Sequence, residues 1–168
     1  MAFGLTPAGT ITKEQTRLST KRLPVKTGVN IAKGDVCFVT TLGYVDQATN
    51  STAAGSEWFV ALEPANNTSG TNGAISVPLA QKGHFVTVVA SDVIQPGTPV
   101  KIGSTTGQVV AFVTGTDAEG LKVGIYQGKE GGVISKDSNT PFLESYTDSE
   151  NFVPVTCAAT DVIEVLLR

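Results

Sequence analysis

The sequence predicts an all-β, small-barrel-like fold preceded by an extended N-terminal arm. Valine occurs 21 times and threonine 22 times in 168 residues. Such β-branched side chains lose rotamer freedom in a helix but fit a pleated, half-buried surface. Glycine at 18 and proline at 8 supply turns at short intervals. Charged residues make up only 16%, below the quarter or so usual in globular chains, so Thr, Ser, Asn and Gly must carry much of the surface polarity. That kind of surface suits close contact with other protein.

The first 27 residues sustain neither a period of 2 nor one of 3.6, so they read as an arm, with the folded domain at 28–168. Within the arm, Thr12 and Gln15 form a capping-box pair, but residues 12–18 hold too few apolar side chains to keep a helix on their own. From Leu23 onward the apolar series begins. Lys33-Gly34-Asp35 makes a turn that feeds Val36-Cys37-Phe38-Val39 into a strand, and Gly43-Tyr44-Val45 returns it. The polar stretch 46–56 reads as a loop, Trp58-Phe59-Val60-Ala61-Leu62 as a strand, and 66–73 as a second loop. Strands are expected next at 74–79 and 85–89, with Pro78 suggesting an edge or a bulge.

The order then repeats. Ile31, Gly34, Cys37, Val39, Gly43 and Val45 find counterparts in Ile94, Gly97, Val100, Ile102, Gly107 and Val109, displaced by 63 to 64 positions. Val60-Ala61-Leu62 matches Val123-Gly124-Ile125 at 63, and Val86 to Val89 matches Ile163 to Leu166 at 77. The surplus length falls in a polar, turn-rich insertion at about 129–156, expected to be exposed. Two weakly similar halves of short strands are expected to fold as one barrel-like or sandwich unit, since such strands close on themselves to hide their edges.

Charge is distributed unevenly. Residues 1–28 carry Lys13, Arg17, Lys21, Arg22 and Lys26 against Glu14, a net of +4, while the whole chain is −3, leaving −7 for the rest. A basic arm thus precedes an acidic body. The arm has no long basic run and no aromatic interleaving beyond Phe3, so nucleic acid is not the expected partner. No apolar run reaches the ~20 residues that span a bilayer, and the start lacks the pattern of a signal peptide. No membrane partner is therefore expected, and synthesis is expected in a cytoplasm.

Residues that could carry chemistry do not assemble into a recognisable pattern. His84 is the only histidine and follows Gly83 in a turn; no Gly-x-Ser-x-Gly occurs. Cys37 and Cys157 stand apart without metal-ligand spacing and read as buried small hydrophobes. Asp148-Ser149-Glu150 reads as a solvated loop, and Glu57, Glu63, Asp117 and Glu119 as carboxylates without an assigned role. No phosphate loop is present, and Gly128-Lys129-Glu130-Gly131-Gly132 reads as a turn. The expectation is a non-enzymatic protein with no catalytic, cofactor or metal site. A rival reading makes Trp58, Tyr44 and the Asn-rich loops a ligand face of a tail, fibre or carbohydrate-binding module.

Gly34-Asp35-Val36, Gly43-Tyr44-Val45, Val60-Ala61-Leu62 and Pro96-Gly97-Thr98-Pro99-Val100, taken in order, resemble the head decoration, or capsid cement, proteins of tailed bacteriophages. The likeness runs from about Leu23 to Arg168. It implies a β-barrel or β-tulip-like subunit, commonly a homotrimer, that sits on the outer capsid surface of the virion. Its partner would be the major capsid protein, whose subunits it would bridge. Under that reading the arm is the docking element, with Lys13, Arg17, Lys21, Arg22 and Lys26 as the capsid-binding candidates.

Overall fold

The computed structural model describes residues 8–13, 19–52, 56–129, 133–135, 152–154 and 156–168. The fold is all-β. In chain order the strands are β1 (Ile11–Lys13), β2 (Lys21–Pro24), β3 (Asn30–Ile31), β4 (Val36–Val39), β5 (Val45–Gln47), β6 (Trp58–Ala61), β7 (Ala65–Asn66), β8 (Ser76–Ala80) and β9 (Phe85–Val89). They continue with β10 (Pro99–Ile102), β11 (Val109–Ala111), β12 (Lys122–Lys129), β13 (Val133–Ser135), β14 (Phe152–Pro154) and β15 (Val162–Leu167), and a 3-10 turn, Glu119–Leu121, precedes β12.

The first half forms a five-stranded antiparallel sheet ordered β2-β8-β6-β4-β5. Its two edge strands meet where Val25, just past β2, makes a parallel bridge to Val45 at the start of β5. Lys26 N–H donates to Val45 O across that junction at 3.0 Å. The sheet thereby closes into a small barrel, which removes the open edges that five short strands would otherwise present. Alternation sorts the side chains. Val25, Cys37, Val45, Phe59, Ala61, Val77 and Leu79 pack together inside, with Ile31 and Ala65 of the β3–β7 pair closing one end. Val36, Val60 and Ala80 stand opposite one another on the outer face.

Pro78 lies in β8, between β2 and β6, and not on an edge. Its carbonyl accepts from Leu62 N–H, just past the end of β6, so its missing donor falls where that ladder runs out. Neither an edge nor a bulge is needed to tolerate it.

The second half repeats the first at the level of register. Five of the six strands in the larger sheet, β9-β15-β12-β10-β11, reproduce the order β2-β8-β6-β4-β5. Lys21↔Leu79 in the first barrel becomes Val86↔Val165 in the second, Cys37↔Phe59 becomes Val100↔Gly124, and Val39↔Val45 becomes Ile102↔Val109. The closing bridge recurs as Ala90↔Val109, and the Ile31↔Ala65 contact as Ile94↔Cys157. The two similar halves read from the sequence therefore exist, but two of the matches shift. Val86 to Val89 and Ile163 to Leu166 are neighbours in one sheet, and the true counterpart of β15 is β8. The counterpart of Val60 is Ile125, two positions beyond the sequence match, because the 3-10 turn adds length ahead of β12.

The sequence pattern sets residues 1–27 apart as an arm, yet β2 is a wall strand of the first barrel. β1 adds a sixth strand beside β9. Residues 1–7 and 14–18 lie outside the described residues, including most of the stretch with helical potential. Of the insertion, β13 and β14 pair antiparallel, and 136–151 lies outside the described residues.

The barrels are joined by side chains and backbone together. Val36, Ala48, Trp58, Val60 and Ala80 from outside the first barrel share one apolar cluster with Val100, Tyr126, Val165 and the rest of the second barrel's core. Val36 N–H donates to Gly107 O at 2.8 Å, and Gly107 N–H to Ala48 O at 2.9 Å. The segment before β1 locks the joint. Gly9 N–H donates to Thr87 O at 2.6 Å, while its α-carbon presses against the first barrel so closely that a Cβ would sit 2.4 Å from Ala61 O and 2.6 Å from Gly34 N. Gly9 also has φ of +71°, where a side chain costs ~1–2 kcal/mol on its own. Gly9→Ala is expected to lower unfolding stability by at least about 2 kcal/mol. Gly43→Ala, at φ of +85° in open space, should cost only about 1 kcal/mol. Urea unfolding of both variants checks the difference, and equal losses would mean the close approach at Gly9 is not what holds that segment.

Candidate functional site

The docking candidates fall on two different strands. Lys13 is in β1 of the second barrel's sheet, whereas Lys21 and Arg22 lie on β2 of the first barrel, with Lys26 two residues past that strand. Arg17 is outside the described residues. Lys21, Arg22 and Lys26 do not form a free cationic patch. Lys21 Nζ sits 4.0 Å from Glu57, Arg22 Nη2 3.5 Å from Glu63, and Lys26 Nζ 2.6 Å from Asp46. The positive charge read as an arm facing an acidic body is, for these three residues, paired with that body.

The pairs differ in character. Lys21–Glu57 and Arg22–Glu63 are loose and solvent-exposed, and such pairs contribute ~0–1 kcal/mol, so both cations remain available to an acidic partner surface. The Asp46 carboxylate is only 20% exposed, and Lys26 is committed to it. Along β2 the outward backbone of Arg22 is also open among the described residues. Its counterpart in the second barrel, Thr87, has that side covered by Thr10 and Gly9 of the segment entering β1. Elsewhere Lys101 on β10 pairs with Asp117, the shortest ion pair among the described residues.

The groups considered for chemistry are enclosed. His84 is 1% exposed; its Nδ1 lies 3.1 Å from Gln81 N and 2.9 Å from Gln81 O, so the ring is a strut of its own turn. Cys37 is fully buried, and burial, followed by the charges of Asp35 and Asp46, pushes its thiol well up, away from the thiolate that reacts. Cys157 is buried too, at the Ile94 bridge. Tyr126 is buried and its phenol is also held up, by desolvation first. Among the described residues no cluster of three His, Cys, Asp or Glu could hold a metal ion. Trp58 is 4% exposed in the joint between the barrels, its Nε1 donating to Gly120 O at 3.3 Å, so it cannot offer a stacking face beside Tyr44. No helix among the described residues is long and apolar enough to cross a membrane.

Sequence reasoning missed two features. One is Asp35, read as a turn residue. Its Oδ2 accepts from Ala32 N–H at 2.8 Å and Gln47 Nε2 at 2.6 Å, and its side chain packs on Gly107 of the other barrel. The other is the outer apolar row of each barrel, which only register could reveal. Comparison with family models and with curated proteins finds no match for this chain.

The two structural carboxylates respond oppositely to pH. Desolvation raises Asp35 above its ordinary value of 3.8, against the lowering effect of its two hydrogen bonds. The folded chain thus holds that proton longer than the unfolded chain, and stability falls as pH rises from 3.8 through the folded value. Asp117 is lowered from 3.8, first by the hydrogen bond from Lys101 and then by that from Val113 N–H. Its contribution is present above 3.8 and is lost as pH falls through the lower folded value. Asp35→Asn should therefore gain on the wild type as pH rises from about 3 to 7, and Asp117→Asn should lose ground over the same span. Urea midpoints at a series of pH values test both, and parallel profiles for the three proteins would contradict the assignment.

Proposed function

We propose that this chain is a structural virion protein that binds the outer surface of an icosahedral capsid and stabilises it by bridging capsid subunits, acting as a homotrimer. The observation that carries the reading is the duplication in register: one chain presents two related barrel exteriors on one joined body, which is what a bridge between repeated subunits requires. The sequence resemblance to decoration proteins supplies the shell as partner. The enclosure of His84, Cys37 and Cys157 agrees with a protein that works by contact. Anything that binds only the mature shell stabilises it by linkage, and many symmetric copies add avidity.

Docking through β2 is part of this reading. Lys21 and Arg22 stand in exposed, weak pairs, so a capsid carboxylate can displace Glu57 or Glu63 at little cost. Lys13 and Arg17 belong to the same candidate set, and Lys26 contributes by fixing the end of the strand on Asp46.

The test is co-sedimentation of the purified chain with tailed-phage capsids before and after expansion. Saturable binding to the expanded form, with resistance of the loaded shell to heat or chaotrope, is expected; no binding to either form would reject the function. Lys21→Glu with Arg22→Glu should weaken binding about tenfold and flatten its salt dependence. Unchanged binding by that double variant would remove β2 from the docking surface.

A further inference from the structure

The duplication exposes a difference between the edges of the two barrels. Closure by the Val25↔Val45 bridge seals only the far end of β2. Upstream of it, Arg22 stands opposite Pro78. Directly opposed residues of an antiparallel pair exchange two hydrogen bonds or none. Pro78 has no N–H to give, and its carbonyl is taken by Leu62 N–H. Arg22 N–H and C=O therefore point away from β8, and among the described residues the other bonds of Arg22 are those of its guanidinium to Ser76 and Glu63.

The counterpart of Arg22 is Thr87, opposite Glu164 in the same register. Both of its outward groups are used: its N–H donates to Thr10 O at 2.9 Å, and its carbonyl accepts from Gly9 N–H at 2.6 Å, where the N-terminal segment runs into β1 antiparallel to β9. Val86 and Thr87 are completely buried, whereas Thr20, Lys21 and Arg22 are all exposed. The same edge carries a strand in the second barrel and faces solvent in the first.

This edge has a length and a charge. Thr20 and Arg22 turn the same side of the backbone outward, and Pro24, next in that series, has no N–H, so pairing stops before it. Lys21 and Arg22, as neighbours along a strand, project to opposite faces. Each stands in a loose exposed pair, with Glu57 at 4.0 Å and Glu63 at 3.5 Å. A strand laid along this edge with acidic side chains at adjacent positions sends one to each cation. A second copy's β1 is the wrong occupant. Lys13 is paired with Phe85 in its own sheet, the counterpart of Thr20, so on β2 it would fall beside Lys21 and Arg22, and like charges on neighbouring strands repel.

We propose that the first barrel docks by strand addition: an extended acidic segment of the major capsid protein lies antiparallel along β2 and bonds to the backbone of Thr20 and Arg22, as the segment entering β1 bonds to Thr87. In this mode main-chain hydrogen bonds hold the segment and side chains select it. The inference rests on the proposed function for the source of the strand, and it adds that backbone as well as charge makes the contact.

The experiment is amide hydrogen exchange on the full chain, free and co-sedimented with expanded tailed-phage capsids. The amides of Thr20 and Arg22 should exchange at least about tenfold more slowly in the bound chain. Arg22→Ala removes the charge and keeps the N–H, while Arg22→Pro removes both; binding by Arg22→Pro should be weaker than by Arg22→Ala by about tenfold, at similar urea midpoints because that N–H has no partner in the barrel. If Arg22→Pro fails to fold, the exchange result on the wild type decides alone. A chain that sediments with capsids while Thr20 and Arg22 stay unprotected, or equal binding by two folded variants, would overturn strand addition and leave capsid binding standing. Absence of sedimentation would overturn both. Protection that appears in the free chain as its concentration rises would give the edge to a second copy and overturn the assignment to the capsid.

Discussion

Everything in this fold depends on a short sheet having to hide its edges. Strands mostly of three to five residues, and of eight at most, bury too little to stand as an open sheet, and each half solves this by bringing its first and last strands together through one parallel bridge, Val25 to Val45 and Ala90 to Val109. Closure defines an inside, filled by one set of alternating residues. It also defines an outside on which the other set is free to become an interface. The joint between the barrels and the pairing of the basic residues both follow from that division.

The joint shows how little is needed to make one body of two barrels. Three small elements converge there: the Gly34 turn, the Gly107 hairpin tip and the Gly9 segment. Each brings backbone closer than any side chain would permit. Close backbone approach lets N–H and C=O groups cross between barrels, so the interface is fixed by direction as well as by apolar area. Asp35 pays part of the cost, its carboxylate being drawn from water against Gly107.

Much of the fold was legible in the sequence because period-2 alternation and Gly-centred turns are local signals. Val36 to Val39, Trp58 to Ala61 and Val100 to Ile102 announce themselves as strands, and the Gly34/Gly97 turns announce the repeat. Register is not local. The first-barrel counterpart of β9 is β2, whose Lys21-Arg22-Leu23-Pro24 shares no residue type with Val86-Thr87-Val88-Val89, so the sequence match went to the more similar β15 instead. The same divergence hid β2 inside a charged stretch that looked like an arm: Lys21 and Arg22 are acceptable there because their ends reach water and meet Glu57 and Glu63. For the candidate surface, charge was visible but its compensation was not, since partners such as Asp46 lie 20 positions away.

The strand order also dictates when each part can take shape as the chain leaves the ribosome. Every strand of the first barrel lies between residues 21 and 80, so it can close early and alone. The second barrel opens with β9 and is completed only by β15, whose last residue is Leu167, and β1 has no bed until β9 exists. A nascent chain therefore carries one finished barrel whose outer row, Val36, Val60 and Ala80, is still bare, and the second half is what shields it. Loss of β15 would keep the second half from closing over that row, making this strand a safeguard against premature clumping as much as a part of the architecture.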